Sequence, residues 1–234
     1  MDALLTFVAS FGVAYLLGSV PFGLLVARAV RGVDIRQHGS KNIGATNVAR
    51  VCGRGWGIGV FVLDLLKGAV PVALWAHSRM FQAFAGGLHE HAPVLAGLGA
   101  ILGHVFPAYL GFRGGRGVAT AAGVFLVLTP LPAAIALAVW IGLAVAFRYV
   151  SLASITAALA LLLAQSIADP ESFGRRFVVT CFTGTMVALV VLRHVPNLRR
   201  LLAGTESKIG AGRSAADVST GVLCEGPKPD KGSP

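Results

Sequence analysis

Charge is scarce in this chain: Asp, Glu, Lys and Arg make up 13% of its 234 residues, and only 10 of them are acidic. That leaves too little polar surface for a water-soluble domain of this size. Cysteine is also scarce. Cys52, Cys181 and Cys224 stand apart, with no Cys-x-x-Cys pair and no neighbouring histidine at metal-ligand spacing, which argues against a disulfide framework and a zinc site. The N-terminus lacks the basic segment of a secretory signal. Met1-Asp2 opens directly into an apolar run longer than a signal-peptide core, so this run is read as a retained membrane span. The sequence shows no convincing internal repeat, which counts against a repeat-built transporter.

The abundant material is apolar: 55% of residues are hydrophobic and the mean hydropathy is +0.75. The bilayer must be the solvent for such a chain. Apolar windows bounded by charge, glycine or proline fall at 3–29, 56–77, 92–110, 117–128, 131–147, 152–168 and 177–192, which predicts an all-α polytopic bundle of about seven transmembrane helices. The fourth window is too short for a comfortable crossing, and Thr129-Pro130-Leu131-Pro132 leaves almost no loop before the fifth. Every Lys and Arg except Arg79, Arg175, Arg176 and the intraspan Lys67 falls on one set of sides, so the positive-inside rule places the N-terminus outside and the C-terminus in the cytoplasm. Residues 1–210 form the membrane domain. The Gly-, Ser- and Pro-containing stretch 211–234 is expected to be a disordered cytoplasmic tail.

The charge of +10 does not point to nucleic acid, because the bases sit between apolar spans rather than among aromatics on a soluble face. Three polar clusters stand out instead, all on the predicted cytoplasmic side. The first, Gly39 to Asn47 followed by Arg50, is dense in glycines, hydroxyls and amides beside a guanidinium, a composition suited to a phosphate. The second, Phe112 to Thr120, sets Arg113, Gly114, Gly115, Arg116 and Gly117 before a helix whose N-terminal N–H groups would face an anion. The third runs from Arg193 through His194, Pro196, Asn197, Arg199 and Arg200 to Glu206. His194 and Asn197 share a face if the stretch is helical, and Pro196 signals a helix end or a kink there. Inside the second window, Asp64 and Lys67 are spaced for an intramembrane ion pair.

These residues resemble the bacterial acyl-phosphate:glycerol-3-phosphate acyltransferases from Gly18 to Gly210. The shared motifs are Gly-Ser-x-Asn-Ile-Gly-Ala-Thr-Asn at Gly39 to Asn47, Gly-Gly-x-Gly-Val-Ala-Thr at Gly114 to Thr120, and His-x-x-Asn with Gly-Thr-Glu at His194 to Glu206. Arg113 and Arg116 stand where the family usually has lysine. The resemblance implies transfer of an acyl group from acyl phosphate to the primary hydroxyl of glycerol 3-phosphate, on the cytoplasmic side of the bacterial inner membrane. It implies that Ser40, Arg50 and Arg116 hold a substrate phosphate and that His194 and Asn197 hold the glycerol hydroxyls. Asn42, Gly44, Thr46, Asn47, Gly114, Gly115, Gly117 and Thr120 would form the acyl-phosphate pocket. His194, Asn197 and Ser40 would carry the catalysis. No cofactor or metal is expected, membrane lipids are the surroundings, and a monomer is the expected unit. A transporter of a small phosphorylated solute is the competing class, disfavoured because the polar clusters lie on one side only.

Overall fold

The chain is seen in a computed structural model that describes residues 3–85 and 90–210, and among the described residues six helical stretches are long and apolar enough to cross a membrane. The expected tail, 211–234, lies outside the described residues. Among them there is no strand, and the elements are α1 (Ala3–Phe7), α2 (Val13–Gly18), α3 (Phe22–Arg31), α4 (Ala45–Val51), α5 (Arg54–His77), α6 (Arg79–Ala85), α7 (Ala92–Val105), α8 (Val118–Leu128), α9 (Pro130–Phe147), α10 (Val150–Ala168) and α11 (Phe177–Leu202). Large apolar side chains such as Leu4, Val145 and Ile167 point outward, which only a lipid environment makes favourable.

Three windows differ from their sequence reading, each at a proline; in the third, α7 ends at Val105 and Pro107 leads into a separate 3-10 turn, Ala108–Leu110. The first is not one uninterrupted helix. A π-helical segment, Val8–Gly12, separates α1 from α2, and the chain breaks at Ser19 to Pro21 because a residue preceding proline is pushed out of the helical region. Pro196 does the opposite of what its identity suggests. Helix α11 runs through it to Leu202, ten residues beyond the predicted end of the span. The missing N–H leaves the Leu192 carbonyl without its helical donor, and both Leu192 and Pro196 lie on the exposed face, where surroundings other than the helix can satisfy that carbonyl.

Helix α8 has 11 residues and spans about 17 Å, roughly half of a hydrocarbon core. It is held by an unusually close approach to α5: a Cβ at Gly123 would collide with the Leu65 carbonyl, and one at Gly68 with the Thr120 carbonyl. Small residues permit this in membranes, where packing and hydrogen bonds replace the hydrophobic drive. The far end of α8 is capped from outside the helix. Arg176 donates to the Leu128 carbonyl at 2.7 Å while its other nitrogen pairs with Asp169 at 2.7 Å. Arg176, an exception to the charge asymmetry, thus has a local structural task.

The α5–α8 contact predicts that Gly123→Ala destabilises the protein by about 1–3 kcal/mol through overpacking. The same change at Gly142, where an added methyl group would meet nothing within 4 Å, raises stability or leaves it unaltered. Thermal unfolding of both variants in detergent measures the contrast.

Candidate active site

The first motif is built around one side chain. Asn47, 1% exposed on α4, donates through Nδ2 to the carbonyls of Ile35, His38 and Asn42 at 3.2, 3.0 and 2.9 Å, and its Oδ1 accepts the Ser40 N–H at 2.8 Å. Asn42 forms an Asx-type turn by accepting the Gly44 N–H at 2.8 Å. Beneath this loop, Ile35, Ile43 and Val48 pack with Leu24 of α3 and Val60 of α5. The loop is therefore rigid, with Ser40, Thr46 and Arg50 exposed on its outer side.

The second motif is clamped from both faces. The N–H groups of Gly114 and Gly115 donate to the carbonyls of Val105 and His104 at the end of α7, at 3.1 and 3.0 Å. Arg193 of α11 donates to the carbonyls of the same two glycines at 3.2 and 3.0 Å. A methyl group on Gly115 would strike the His104 ring, so only glycine fits there. These two glycine N–H groups are thus engaged within the fold. The first turn of α8 has no side-chain cap, and its residues Val118 and Ala119 line the cavity with Gly117.

The third motif lies on α11. His194, 1% exposed, places Nδ1 at 2.8 Å from the Val190 carbonyl. A carbonyl only accepts, so in the neutral ring Nδ1 carries the hydrogen and Nε2 is left as an acceptor. Asn197 donates to Glu206 Oε1 at 2.6 Å, which fixes its orientation, and its buried Oδ1 has no partner. Glu206 also accepts from Ser151 of α10 at 2.8 Å and from Arg200 at 2.7 Å.

All three motifs meet on one cavity of about 500 Å³. Ser40, Asn42, Gly44, Thr46, Asn47, Arg50, Arg116, Gly117, His194 and Asn197 line it, whereas Gly114, Gly115 and Thr120 are not part of its lining. The sequence reading did not include Phe61, Asp64, His104, Trp140, Ser151, Ser154 or Arg200 among the site residues, yet each lines the cavity. Polar residues inside apolar spans were the available signal for His104 and Ser154, and Ser151 directly precedes the sixth window. The expected Asp64–Lys67 pair is present at 2.8 Å, with His104 Nδ1 at 3.7 Å from the same carboxylate oxygen.

The electrostatics favour an anion. Burial pushes the Arg116 guanidinium below its usual range; Glu206 opposes the shift, and the charges of Arg200, Arg193 and Arg50 add to it. Among the described residues, no carboxylate forms an ion pair with Arg50 or Arg116. Burial alone would raise the Glu206 carboxyl, but hydrogen bonds from Asn197, Ser151 and Arg200 outweigh it and hold that carboxyl below its ordinary value.

A second, apolar cavity of about 120 Å³ adjoins the first. Its walls are Ala121 and Phe125 of α8, Ala136 of α9, Ala157 and Leu161 of α10 and Val190 of α11, among others. Phe61, Val118, Trp140 and Ser154 line both cavities and mark the junction, where the Trp140 indole donates to Ser154 Oγ at 3.1 Å.

The local bonding sets the response to two substitutions. Asn47→Ala leaves several buried backbone groups unpaired, at about 1–3 kcal/mol each, and lowers the thermal midpoint accordingly. The folded pKa of Glu206 lies below its ordinary 4.5, so its network stabilises fully above that pH and loses its contribution as pH falls through the folded value. Glu206→Gln is therefore less stable than the parent at pH 7, and the gap closes in acid below pH 4.5 in thermal melts across that range.

Over residues 8–204 the chain matches the family described as Glycerol-3-phosphate acyltransferase. It is 46% identical over 199 residues to the glycerol-3-phosphate acyltransferase of Geobacter sulfurreducens, covering 85% of this chain and 95% of the relative. It is 45% identical over 194 residues to that of Geotalea daltonii, covering 83% and 93%. Its fold is similar, with a TM-score of 0.75, to the glycerol 3-phosphate form of PlsY (YgiH), an integral membrane glycerol 3-phosphate acyltransferase; the match is 38% identical and covers 93% of this chain and 98% of that one. The lysophosphatidic acid form of PlsY gives a TM-score of 0.73 at 39% identity, covering 89% and 95%. An all-helical membrane fold, a cationic cavity built from three motifs, and similarity across nearly the whole of these relatives agree: the chain belongs to the glycerol-3-phosphate acyltransferase family.

Proposed function

We propose that this protein moves a fatty acyl group from acyl phosphate to the primary hydroxyl of glycerol 3-phosphate, giving lysophosphatidic acid and phosphate. The observation that carries this reading is the junction of a cationic chamber with an apolar one. A phosphate headgroup with a hydrocarbon chain matches both halves, whereas a small phosphorylated solute uses only the first.

Arg50 and Arg116, with Ser40, hold the phosphate of glycerol 3-phosphate, since a guanidinium fork matches phosphate oxygens and, among the described residues, no carboxylate forms an ion pair with either arginine. Asn197 Oδ1, a buried acceptor without a donor, takes a glycerol hydroxyl, and His194 Nε2 faces the reacting one. The acyl phosphate lies with its head at Gly117 and the first turn of α8, near Asn42, Gly44 and Thr46, and its chain in the apolar chamber. Asn47 shapes that pocket from its wall, and Gly114, Gly115 and Thr120 support it from outside the lining.

An acyl phosphate is already activated, so no acyl-enzyme is needed. The hydroxyl oxygen attacks the acyl carbon, its proton passes to His194 Nε2 and the carbon–oxygen bond to phosphate breaks. Arg50, Arg116 and the N–H groups of α8 offset the charge on the leaving phosphate. Seven spans, with α8 counted as the short fourth, put the N-terminus outside and all three motifs on the cytoplasmic face of the bacterial inner membrane, in keeping with the arginine and lysine distribution.

Purified protein given acyl phosphate and glycerol 3-phosphate forms lysophosphatidic acid; inactivity together with solute uptake into liposomes would reverse the reading. Asn197→Ala and Arg50→Ala each lower kcat/KM for glycerol 3-phosphate by roughly 10- to 100-fold, the loss expected for one hydrogen bond to a charged or buried partner. Detection of an acyl group on Ser40 during turnover of the parent protein would rule out direct transfer.

A further inference from the structure

By sequence, Arg148 is one more basic residue between two spans. In the structure it does something specific. It ends α9 in the left-handed region at φ 63° and donates from Nε and Nη2 to the Ile209 carbonyl at 3.0 and 2.6 Å, while its own carbonyl accepts the Ile209 N–H at 2.7 Å. One arginine on the α9–α10 turn thus binds both polar atoms of one backbone unit 61 residues away.

Ile209 lies on a strap that leaves α11 after Leu202 and returns over the cavity. Gly204 turns it at φ 68°, and the Thr205 N–H fixes it to the Arg200 carbonyl at 2.8 Å. Glu206 is pinned by Ser151, Asn197 and Arg200, and Lys208 sits 5.4 Å over the Tyr149 ring. Glu206, Ser207 and Ile209 all line the cavity. The strap is therefore fixed to α11 at one end, to the α9–α10 turn at the other, and forms part of the cavity wall between.

We propose that this strap is a lid that makes the site choose the glycerol hydroxyl over water, and that Arg148 is its latch. The inference rests on acyl phosphate being the donor. That donor is a mixed anhydride, and water competes with the alcohol for the same carbon. Attack by water breaks the same carbon–oxygen bond and gives a free fatty acid and phosphate in place of lysophosphatidic acid and phosphate. Closing a site to water is the general protection against this loss. The latch is polar and lies at the exposed rim, where it can release and re-form while the helices below stay packed.

The test measures partition rather than rate. Full-length Arg148→Gly keeps the left-handed turn, which glycine adopts freely, and removes the side chain that carries the guanidinium. Ile209→Pro removes the N–H that donates to the Arg148 carbonyl. With acyl phosphate and saturating glycerol 3-phosphate, the ratio of fatty acid to lysophosphatidic acid rises about tenfold in both variants, the effect of weakening a closed state by one net hydrogen bond. An unchanged ratio in both overturns the lid. So does a variant that yields neither product, because opening a lid leaves the acyl-phosphate pocket in place. If the parent protein itself makes no lysophosphatidic acid, the failure lies with the proposed reaction instead.

Discussion

Three arginines, Arg50, Arg116 and Arg200, share one cavity, and among the described residues of its lining Glu206 is the carboxylate set against them; Asp64, the other one, is paired with Lys67 in α5. Like charges gathered in a partly desolvated space repel, and without a counterweight the site would open toward water. Glu206 supplies that counterweight. Its two oxygens bind Ser151 on α10 and Asn197 and Arg200 on α11, so the same group that moderates the field also fixes the distance between two spans and starts the strap. It neutralises Arg200, and among the described residues Arg50 and Arg116 form no ion pair with a carboxylate, which is the asymmetry an anionic substrate needs.

The rest of the architecture brings this arrangement to the membrane boundary. Helix α5 carries Asp64 and Lys67 past α8, whose glycine contact with α5 sets where its first turn ends. That turn, together with the clamped glycines before it, aims Arg116 into the cavity. Arg193 links the second and third motifs directly, since it stands beside His194 and holds the carbonyls of Gly114 and Gly115. The family relationship and the geometry thus agree at the level of motifs: segments far apart in the chain face a single chamber.

Much of this was legible without coordinates, and the reason is local. Apolar windows reveal spans because a bilayer demands long, uniform runs, and six of the seven windows fall on helices long and apolar enough to span. The glycine-, amide- and hydroxyl-rich loop was legible because its own bonds are local, from Asn47 to carbonyls 5 to 12 residues away. What escaped was side chain to backbone bonding across long separations: Arg193 to Gly114, Arg176 to Leu128, Arg148 to Ile209. A carbonyl acceptor is present at every residue, so such bonds impose no pattern on the partner's sequence. Pro196 misled for a related reason, because a proline's local cost says nothing about whether the carbonyl it orphans faces outward.

The loop that carries Ser40 hangs on the amide of Asn47, and that has a chemical corollary. Hydrolysis of this amide, the ordinary ageing reaction of asparagine, would exchange a two-hydrogen donor for a carboxylate oxygen set against the carbonyls of Ile35, His38 and Asn42. A change of one mass unit would turn three attractions into three repulsions in a buried space. Burial of the side chain, its place in the first turn of α4 and the β-branched Val48 that follows all hinder the backbone attack that reaction requires. The fold thereby shields from ageing the amide on which the loop's three carbonyl contacts depend.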